Sequence, residues 1–148
     1  MTLEARIIKM LEDSGIDYEI AEHEPVYTNP AMAEALGTTE ARTVKSLVLA
    51  TKEGGMIVLV LAGDQKADWK KAAAAAGSKK VSFAKPEAVL ETVGCEVGCV
   101  PPFGHGLPVY MDRRLLEKDR VYFNPGVHHK SFKIRGADLK ALCSPDFL

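Results

Sequence analysis

Lys45 is a basic residue placed where it could do chemistry. It stands in the run RTVKSLVLA, whose later residues, Leu47, Val48 and Leu49, have the apolar, β-rich character of a buried strand. An ammonium group at the start of such a strand could bind a phosphate or a ribose hydroxyl at the mouth of a pocket. If burial lowered its pKa, the same amine could act as a nucleophile. The alternative without chemistry is a rim residue whose ammonium group extends into water.

The stretch Glu96–Gly104, EVGCVPPFG, is a second candidate because two glycines lie close to a pair of prolines. Glycine allows backbone conformations that other residues rarely adopt, whereas Pro101 and Pro102 fix φ and lack an N–H donor. A loop of this composition follows an unusual path and then moves little. The alternative is an ordinary turn between two strands, which is what an isolated cluster of glycine and proline usually marks.

Histidines and cysteines raise the question of a metal site. The histidines are His23, His105, His128 and His129, and Cys95 and Cys99 form a Cys-x3-Cys pair. No second cysteine pair and no His-x3–5-His follows that pair, and His128 and His129 would point to opposite faces of an extended segment. We therefore expect no metal. The sequence also lacks a P-loop, a G-x-G-x-x-G after a strand and a G-x-S-x-G elbow.

The helices that must position these residues follow from apolar periodicity and capping signals. Asn29 is predicted to cap the second helix, with Pro30 at its first helical position. The predicted helices cover Leu3 to Leu11 with a stop at Gly15, Asn29 to Gly37, Asp68 to Gly77, Pro86 to Val93, and Ala137 to Leu142.

The strands follow from β-rich runs between turn signals. They are predicted at Tyr18 to Glu22, Thr43 to Thr51, Met56 to Ala62, Lys80 to Ala84, Val109 to Asp112, Arg120 to Asn124, and Ser131 to Ile134. The run from Met56 is apolar throughout, so we expect it to be buried on both faces. Strands interleaved with short helices, one clear hairpin among them, predict an α+β fold with a mixed sheet.

Length and composition predict one domain over residues 1–148 in the cytoplasm. A chain of 148 residues is the size of a single domain, and three cysteines without a disulfide-framework spacing suit a reducing compartment. No signal peptide is recognisable at the N-terminus, and the longest apolar run is far shorter than the about 20 residues of a membrane span. We therefore expect no membrane partner.

The net charge limits the mode of nucleic-acid binding. The chain carries a formal charge of −1 with a pI near 6.4. Proteins that bind nucleic acid tightly and without sequence preference usually have a basic surface, so DNA is not an expected partner. An RNA end could still be held locally and weakly.

Three motifs in order, TVKSLVL, GCVPPFG and NPGVHH, resemble the signatures of the YbaK family. This editing domain is inserted in many bacterial prolyl-tRNA synthetases and also occurs free-standing. The segments HEPVYT, LAGDQKADWKKAAAAAGSKKVSFA and GADLKAL extend the resemblance over nearly the whole chain. The resemblance implies a mixed, partly barrel-like sheet surrounded by short helices, and a free-standing protein that acts in trans.

The resemblance also implies a function, which is hydrolysis of the ester between a wrong amino acid and the terminal adenosine of a tRNA. Alanine or cysteine on tRNAPro, or another small amino acid, is the expected substrate. The implied partners are the acceptor end of mischarged tRNA and, as a second partner, an aminoacyl-tRNA synthetase. No cofactor and no metal is implied, because the free ribose hydroxyl of the substrate helps to activate water.

The resemblance also implies roles for the residues of this sequence that match the three motifs. Lys45 corresponds to the lysine that holds the terminal adenosine and its phosphate. The loop with Pro101 and Pro102 surrounds the scissile carbonyl, and Gly126 and His128 correspond to a G-x-H element that shapes the amino-acid pocket. The amides available to stabilise an oxyanion are those of Gly98, Cys99, Val100, Phe103 and Gly104.

Two other functions remain open at the level of sequence. An RNA-binding module of the same fold would bind aminoacyl-tRNA without turnover. An unrelated hydrolase or lyase would use Lys45 as a nucleophile, and borohydride trapping with a carbonyl substrate would identify it. A purely structural role is the third alternative. His105 has no counterpart in the family pattern.

Overall fold

The computed structural model describes all of residues 1–148. Its helices are α1 (Leu3–Asp13), α2 (Asn29–Leu36), α3 (Trp69–Ala76), α4 (Pro86–Val93) and α5 (Asp138–Cys143). Its strands are β1 (Glu19–Glu22), β2 (Val44–Thr51), β3 (Met56–Ala62), β4 (Val81–Phe83), β5 (Val109–Met111), β6 (Val121–Phe123), β7 (Lys130–Ile134) and β8 (Asp146–Phe147). Every predicted helix and strand is present. None of the helices combines the length and the apolar character that crossing a bilayer requires.

Three short elements are absent from the prediction. They are 3₁₀ helices at Glu40–Arg42 and Arg113–Glu117, and the strand β8. Such elements are too short to show a period in the sequence, and β8 becomes a strand only because it pairs with β5.

The predicted cap of α2 was wrong by one residue. Thr28 is the N-cap, and its hydroxyl accepts the N–H of Ala31 at 3.2 Å. Asn29 therefore lies inside the first turn, and its side-chain amide donates to the hydroxyl of Thr43 at 3.0 Å. This hydrogen bond ties the start of α2 to the residue that precedes β2.

The strands form two sheets, which confirms the predicted α+β fold with mixed strand directions. The larger sheet has the order β4-β2-β3-β5-β8, and the smaller has the order β1-β7-β6. The β2–β3 hairpin is antiparallel, whereas β5 is parallel to both of its neighbours. A single bridge between Thr43 and Tyr122 joins the two sheets.

Strand β3 is buried on both faces, as its apolar run predicts. Val58, Val60 and Ala62 belong to the main core cluster on one face of the sheet. The alternating residues on the other face belong to a smaller cluster that also includes Ala72 of α3. Because successive side chains in a strand point to opposite faces, a strand between two packed layers must be apolar at every position.

One edge of β2 is only partly covered by other strands. On the side away from β3, β4 pairs with Leu49, Ala50 and Thr51, and the bridge to β6 involves Thr43. Lys45, Ser46 and Leu47 have no strand partner on this side. The sheet therefore opens beside the residues that the sequence marks for chemistry.

Candidate active site

A cavity of about 280 Å³ lies at this opening. The uncovered edge of β2 forms one wall, and the start of α2, the end of β4 and the start of α4 form others. The remaining wall is the loop of the GCVPPFG motif, which contributes Val97, Gly98 and Val100. Two of the three sequence motifs thus meet in one cavity, and Asn124, the first residue of NPGVHH, adds the third.

Lys45 lies in the cavity wall and is half-buried. Its ammonium group forms no ion pair and no hydrogen bond within the protein. Burial lowers the pKa of Lys45, while the negative charges of Asp64 and Glu40 act in the opposite direction. A partly desolvated cation without a partner favours an anionic or hydroxyl ligand in the cavity.

The loop presents two free backbone donors to the cavity. Gly98 has φ of +96°, a conformation that L side chains rarely adopt. The N–H groups of Gly98 and Val100 have no acceptor within the protein, and neither has that of Val97 on the more exposed side of the loop. The amide of Cys99 differs from expectation, because it already donates to the carbonyl of Glu96 at 3.3 Å. The buried thiol of Cys99 contacts the same carbonyl at 3.2 Å, so this residue belongs to the internal structure of the loop.

The rest of the motif lies behind the cavity wall. Pro101 and Pro102 are buried, and Phe103 packs edge-to-face against Phe123 with ring centroids 5.3 Å apart. The carbonyl of Gly104 accepts a hydrogen bond from Arg6 of α1 at 2.8 Å. None of these four motif residues lines the cavity, and their contact with substrate stays a prediction.

His105, which has no counterpart in the family pattern, holds the double-proline turn together. Its Nδ1 accepts the N–H of Leu107 at 3.1 Å, so Nε2 carries the proton and donates to the carbonyl of Pro102 at 3.2 Å. Burial lowers the pKa of His105, which favours this neutral tautomer. The function of His105 in this structure is to fix the backbone that follows the free amides.

Gly126 and His128 also lie outside the cavity lining. The N–H of Gly126 donates to the carbonyl of Cys99 at 3.0 Å, which ties the third motif to the second. Nδ1 of His128 donates to the carbonyl of Val26 at 3.1 Å, and its ring packs on Tyr27 at 4.5 Å between centroids. Both residues contact the walls that carry Val26 and Gly98, and Nε2 of His128 is buried without a hydrogen bond. That they shape the amino-acid pocket stays a prediction.

Sequence reasoning missed two polar residues in the cavity that keep an atom without a hydrogen-bond partner. Asn124 is 8% exposed, and its Nδ2 donates to the carbonyl of Lys130 at 3.1 Å while its Oδ1 has no partner. The hydroxyl of Ser46 is buried without a hydrogen bond. The sequence pattern predicts Asn124 only as the last residue of a strand, and the available signal is its position directly before the proline and glycine of the third motif.

No group of three or more histidine, cysteine, aspartate or glutamate side chains is arranged to hold a metal ion. Nε2 of His23 is hydrogen-bonded to the hydroxyl of Ser131 at 2.7 Å and is therefore engaged away from the cysteines. Cys95 and Cys99 are both buried. The expectation of metal-independent chemistry stays a prediction.

Comparison with known proteins points to one family. The model of the aminoacyl-tRNA editing domain matches residues 23–142. The chain is 33% identical over 149 aligned positions to the multifunctional Ser/Thr-tRNA deacylase ProXp-y of Escherichia coli K12, covering 97% of this chain and 89% of that protein. It is 29% identical to the prolyl-tRNA editing protein ProX of Acetoanaerobium sticklandii, covering 96% of this chain and 91% of that protein.

A solved structure shows the same fold. It was described as a candidate trans-editing enzyme for prolyl-tRNA synthetase, and it superimposes with a TM-score of 0.86 at 29% sequence identity. The similarity covers 100% of this chain and 96% of that chain. The structural match therefore includes α1 and the last strand, which lie outside the residues matched by the family model.

Proposed function

Because the chain belongs to the aminoacyl-tRNA editing domain family, we propose that it is a trans-editing deacylase that hydrolyses the ester bond of mischarged tRNA. The observation that carries the proposal is the content of one cavity. An ammonium group without a partner, that of Lys45, shares the cavity with the unbonded amides of Gly98 and Val100. A cation and a pair of backbone donors suit a nucleotide ester whose carbonyl must accept negative charge.

In this mechanism the carbonyl oxygen of the ester accepts hydrogen bonds from Gly98 and Val100. Water attacks the carbonyl carbon and gives a tetrahedral intermediate, whose negative oxygen the two amides stabilise. The intermediate collapses when the bond to the ribose oxygen breaks and that oxygen takes up a proton, which releases the free amino acid and the tRNA. The neighbouring ribose hydroxyl helps to activate the water. Losing one oxyanion donor typically costs about 10²–10³ in rate.

Lys45 binds the terminal nucleotide through its phosphate or a ribose hydroxyl. The lowered pKa of Lys45 reflects lost hydration, and an anionic phosphate would replace that hydration with a charge-assisted hydrogen bond. The lysine acts by binding in this scheme and forms no covalent intermediate. Borohydride would therefore trap no adduct.

The size of the cavity supports a small amino acid. A volume of about 280 Å³ lies just below the range for pockets that bind drug-sized ligands, which is about 300–1,000 Å³. We propose that Oδ1 of Asn124 accepts a hydrogen bond from the α-ammonium group of the ester. The free hydroxyl of Ser46 can bond a polar side chain. Alanine and cysteine on tRNAPro are the first substrates to test, with serine and threonine beside them.

The experiment is a deacylation assay on tRNAs charged with these four amino acids, in the presence and absence of a chelator. We expect release of at least one small amino acid at a rate that the chelator does not change. Loss of activity on chelation that zinc restores would contradict metal-independent chemistry. Inactivity on every charged tRNA, with binding retained, would instead identify a non-catalytic binding module. Faster turnover when prolyl-tRNA synthetase is added would identify the synthetase as a partner.

A further inference from the structure

Two exposed aromatic side chains are in contact beside the cavity, one of them at its rim. Phe83 at the end of β4 is 61% exposed, and Trp69 at the start of α3 is 39% exposed. Their rings meet edge-to-face with centroids 5.0 Å apart. Phe83 lines the cavity and also an open groove that runs from it toward α3. The aromatic pair therefore continues the surface of the active site outward.

The groove beside this pair is basic. Its charged lining residues are Lys70, Lys79 and Lys80, and no carboxylate lines it. The surrounding segment, residues 64–87, contains six lysines and three acidic residues, in a chain whose net charge is −1. None of the six lysines forms an ion pair. The segment next to the exposed rings thus has an excess of positive charge.

We propose that this Trp69–Phe83 groove binds the single-stranded acceptor end of the tRNA, whose last nucleotide then enters the cavity. The inference rests on the proposed deacylase function and specifies how the substrate is held. Aromatic rings between lysines are the arrangement with which proteins bind single-stranded nucleic acid, because bases stack on the rings while ammonium groups contact the phosphates. Because Phe83 lines both the groove and the cavity, a bound RNA strand would run along the groove and end in the cavity that contains Lys45.

The groove also accounts for RNA binding by a chain without a net basic charge. Six unpaired lysines in one segment supply a local field, while the rest of the molecule is slightly acidic. Binding of this kind is confined to the few nucleotides next to the ester and weakens as salt increases. Such local binding suits an enzyme that must accept tRNAs and then release them.

Trp69 provides a direct test because it is the only tryptophan of the chain. Its fluorescence is titrated with an uncharged RNA minihelix that ends in a single-stranded 3′ extension, and with the same minihelix cut to a blunt end. We expect the extended RNA to quench Trp69 and the blunt RNA to have no effect at equal concentration. No quenching, or equal quenching by both RNAs, would overturn the proposal. This readout does not depend on hydrolysis.

A second test compares two substrates. In K79A/K80A we expect kcat/KM on mischarged tRNA to fall about tenfold, with a salt dependence that is shallower by about 0.7 per lost phosphate contact. Hydrolysis of an aminoacyl-adenosine ester, which lacks the upstream nucleotides, should stay at the wild-type rate. K140A on α5 is the matched control, because Lys140 is exposed on an element remote from the groove lining.

W69A should behave like the double lysine variant, and W69F should retain most of the wild-type activity because phenylalanine still stacks. Equal losses on both substrates would show a general defect and overturn the proposal, as would unchanged activity on tRNA. A wild-type protein that hydrolyses neither substrate, yet shows quenching by the extended RNA, would keep the groove as an RNA site and contradict the deacylase function instead.

Discussion

At the scale of single residues, the cavity depends on groups whose hydrogen-bonding capacity the protein leaves unused. The ammonium group of Lys45, the hydroxyl of Ser46 and Oδ1 of Asn124 have no partner within the protein. The hydroxyl of Ser46 is the buried one among them, and a ligand in the cavity would satisfy a group whose burial otherwise costs stability.

Replacing Lys45 by alanine should abolish deacylation or reduce it severely, because no other cation lines the cavity. The fold should stay intact. Burial lowers the pKa of Lys45, so the folded state already disfavours its charge, and removing the charge does not remove a stabilising interaction. The measurement is kcat/KM together with the midpoint of thermal unfolding, with K140A as the control. Wild-type turnover in K45A would show that Lys45 is a rim residue without a function in deacylation.

Asn124→Asp tests the proposed contact with the α-ammonium group. The carboxylate keeps the acceptor oxygen but loses the hydrogen bond that Nδ2 donates to the carbonyl of Lys130. Asn124→Ala loses both. We expect the alanine variant to raise KM on mischarged tRNA more than it lowers kcat, and the aspartate variant to lie between alanine and wild type. If both variants show an unchanged KM, Asn124 does not contact the substrate.

At the scale of elements, the double-proline loop is a stiff support for two amides. It is anchored by Gly126 from one side, by α1 through Gly104 and by His105 from behind. Gly98 and Val100 line the cavity and keep free N–H donors beside this anchored segment.

If backbone amides stabilise the oxyanion, changing the side chain of Cys99 should have little effect on the rate of deacylation. Cys99→Ser keeps the N–H and nearly the same volume, and its hydroxyl can still donate to the carbonyl of Glu96, so its activity should stay within a few-fold of wild type. Gly98→Val should fold and yet lose about 10²-fold in kcat, because valine cannot adopt φ of +96° without strain and small displacements are costly in catalysis. Single-turnover rates of both variants give the comparison. An inactive Cys99→Ser would indicate thiol chemistry instead.

The neutral state of His105 makes the loop sensitive to acid. Its pKa in the folded protein lies below the ordinary value of 6.5, so the unfolded chain binds a proton first as the pH falls. The stability that the neutral ring contributes is complete above pH 6.5 and declines below it. We expect the free energy of unfolding to fall more steeply from pH 7 to 5.5 in wild type than in His105→Gln, which keeps a donor and an acceptor but does not titrate. Parallel urea denaturation series at each pH would measure this, and identical slopes would contradict it.

At the scale of the whole molecule, α1 supports the active site although it lies outside the matched family region. Ile7 is fully buried, and a Cβ added to Gly104 would lie 2.7 Å from its Cδ1. Arg6 of the same helix bonds the carbonyl of Gly104. The first helix thus packs directly on the back of the loop.

Ile7→Ala should therefore reduce both stability and activity. Truncating a buried isoleucine typically costs about 2–5 kcal/mol, and the loosened loop would place its amides less accurately. We expect a lower midpoint of thermal unfolding and a lower kcat at a temperature where the variant is still folded. Leu139→Ala, which is equally buried but belongs to α5, is the control for stability without loop contact. Equal effects on kcat in both variants would show that α1 has no special relation to the site.

Much of this architecture follows from the sequence alone. The bounds of the helices and strands depend on local signals, such as the capping residue Asp68 and the glycine that ends α3, and these signals act within a few residues. The burial of β3 on both faces follows from its uninterrupted apolar run. The three motifs that indicate the family are likewise continuous segments of the chain.

The tertiary structure decided which motif residues face the cavity. Cys99 and Gly98 are neighbours with equally plausible amides, yet a turn to Glu96 occupies one and leaves the other free. Asn124 lines the cavity, whereas His128 lies behind its wall and donates to the carbonyl of Val26, a residue 102 positions earlier in the chain. Such contacts join segments that are distant in sequence, and their geometry depends on how the two sheets and α1 pack. No local pattern of residues encodes that packing, so it became visible only in the folded chain.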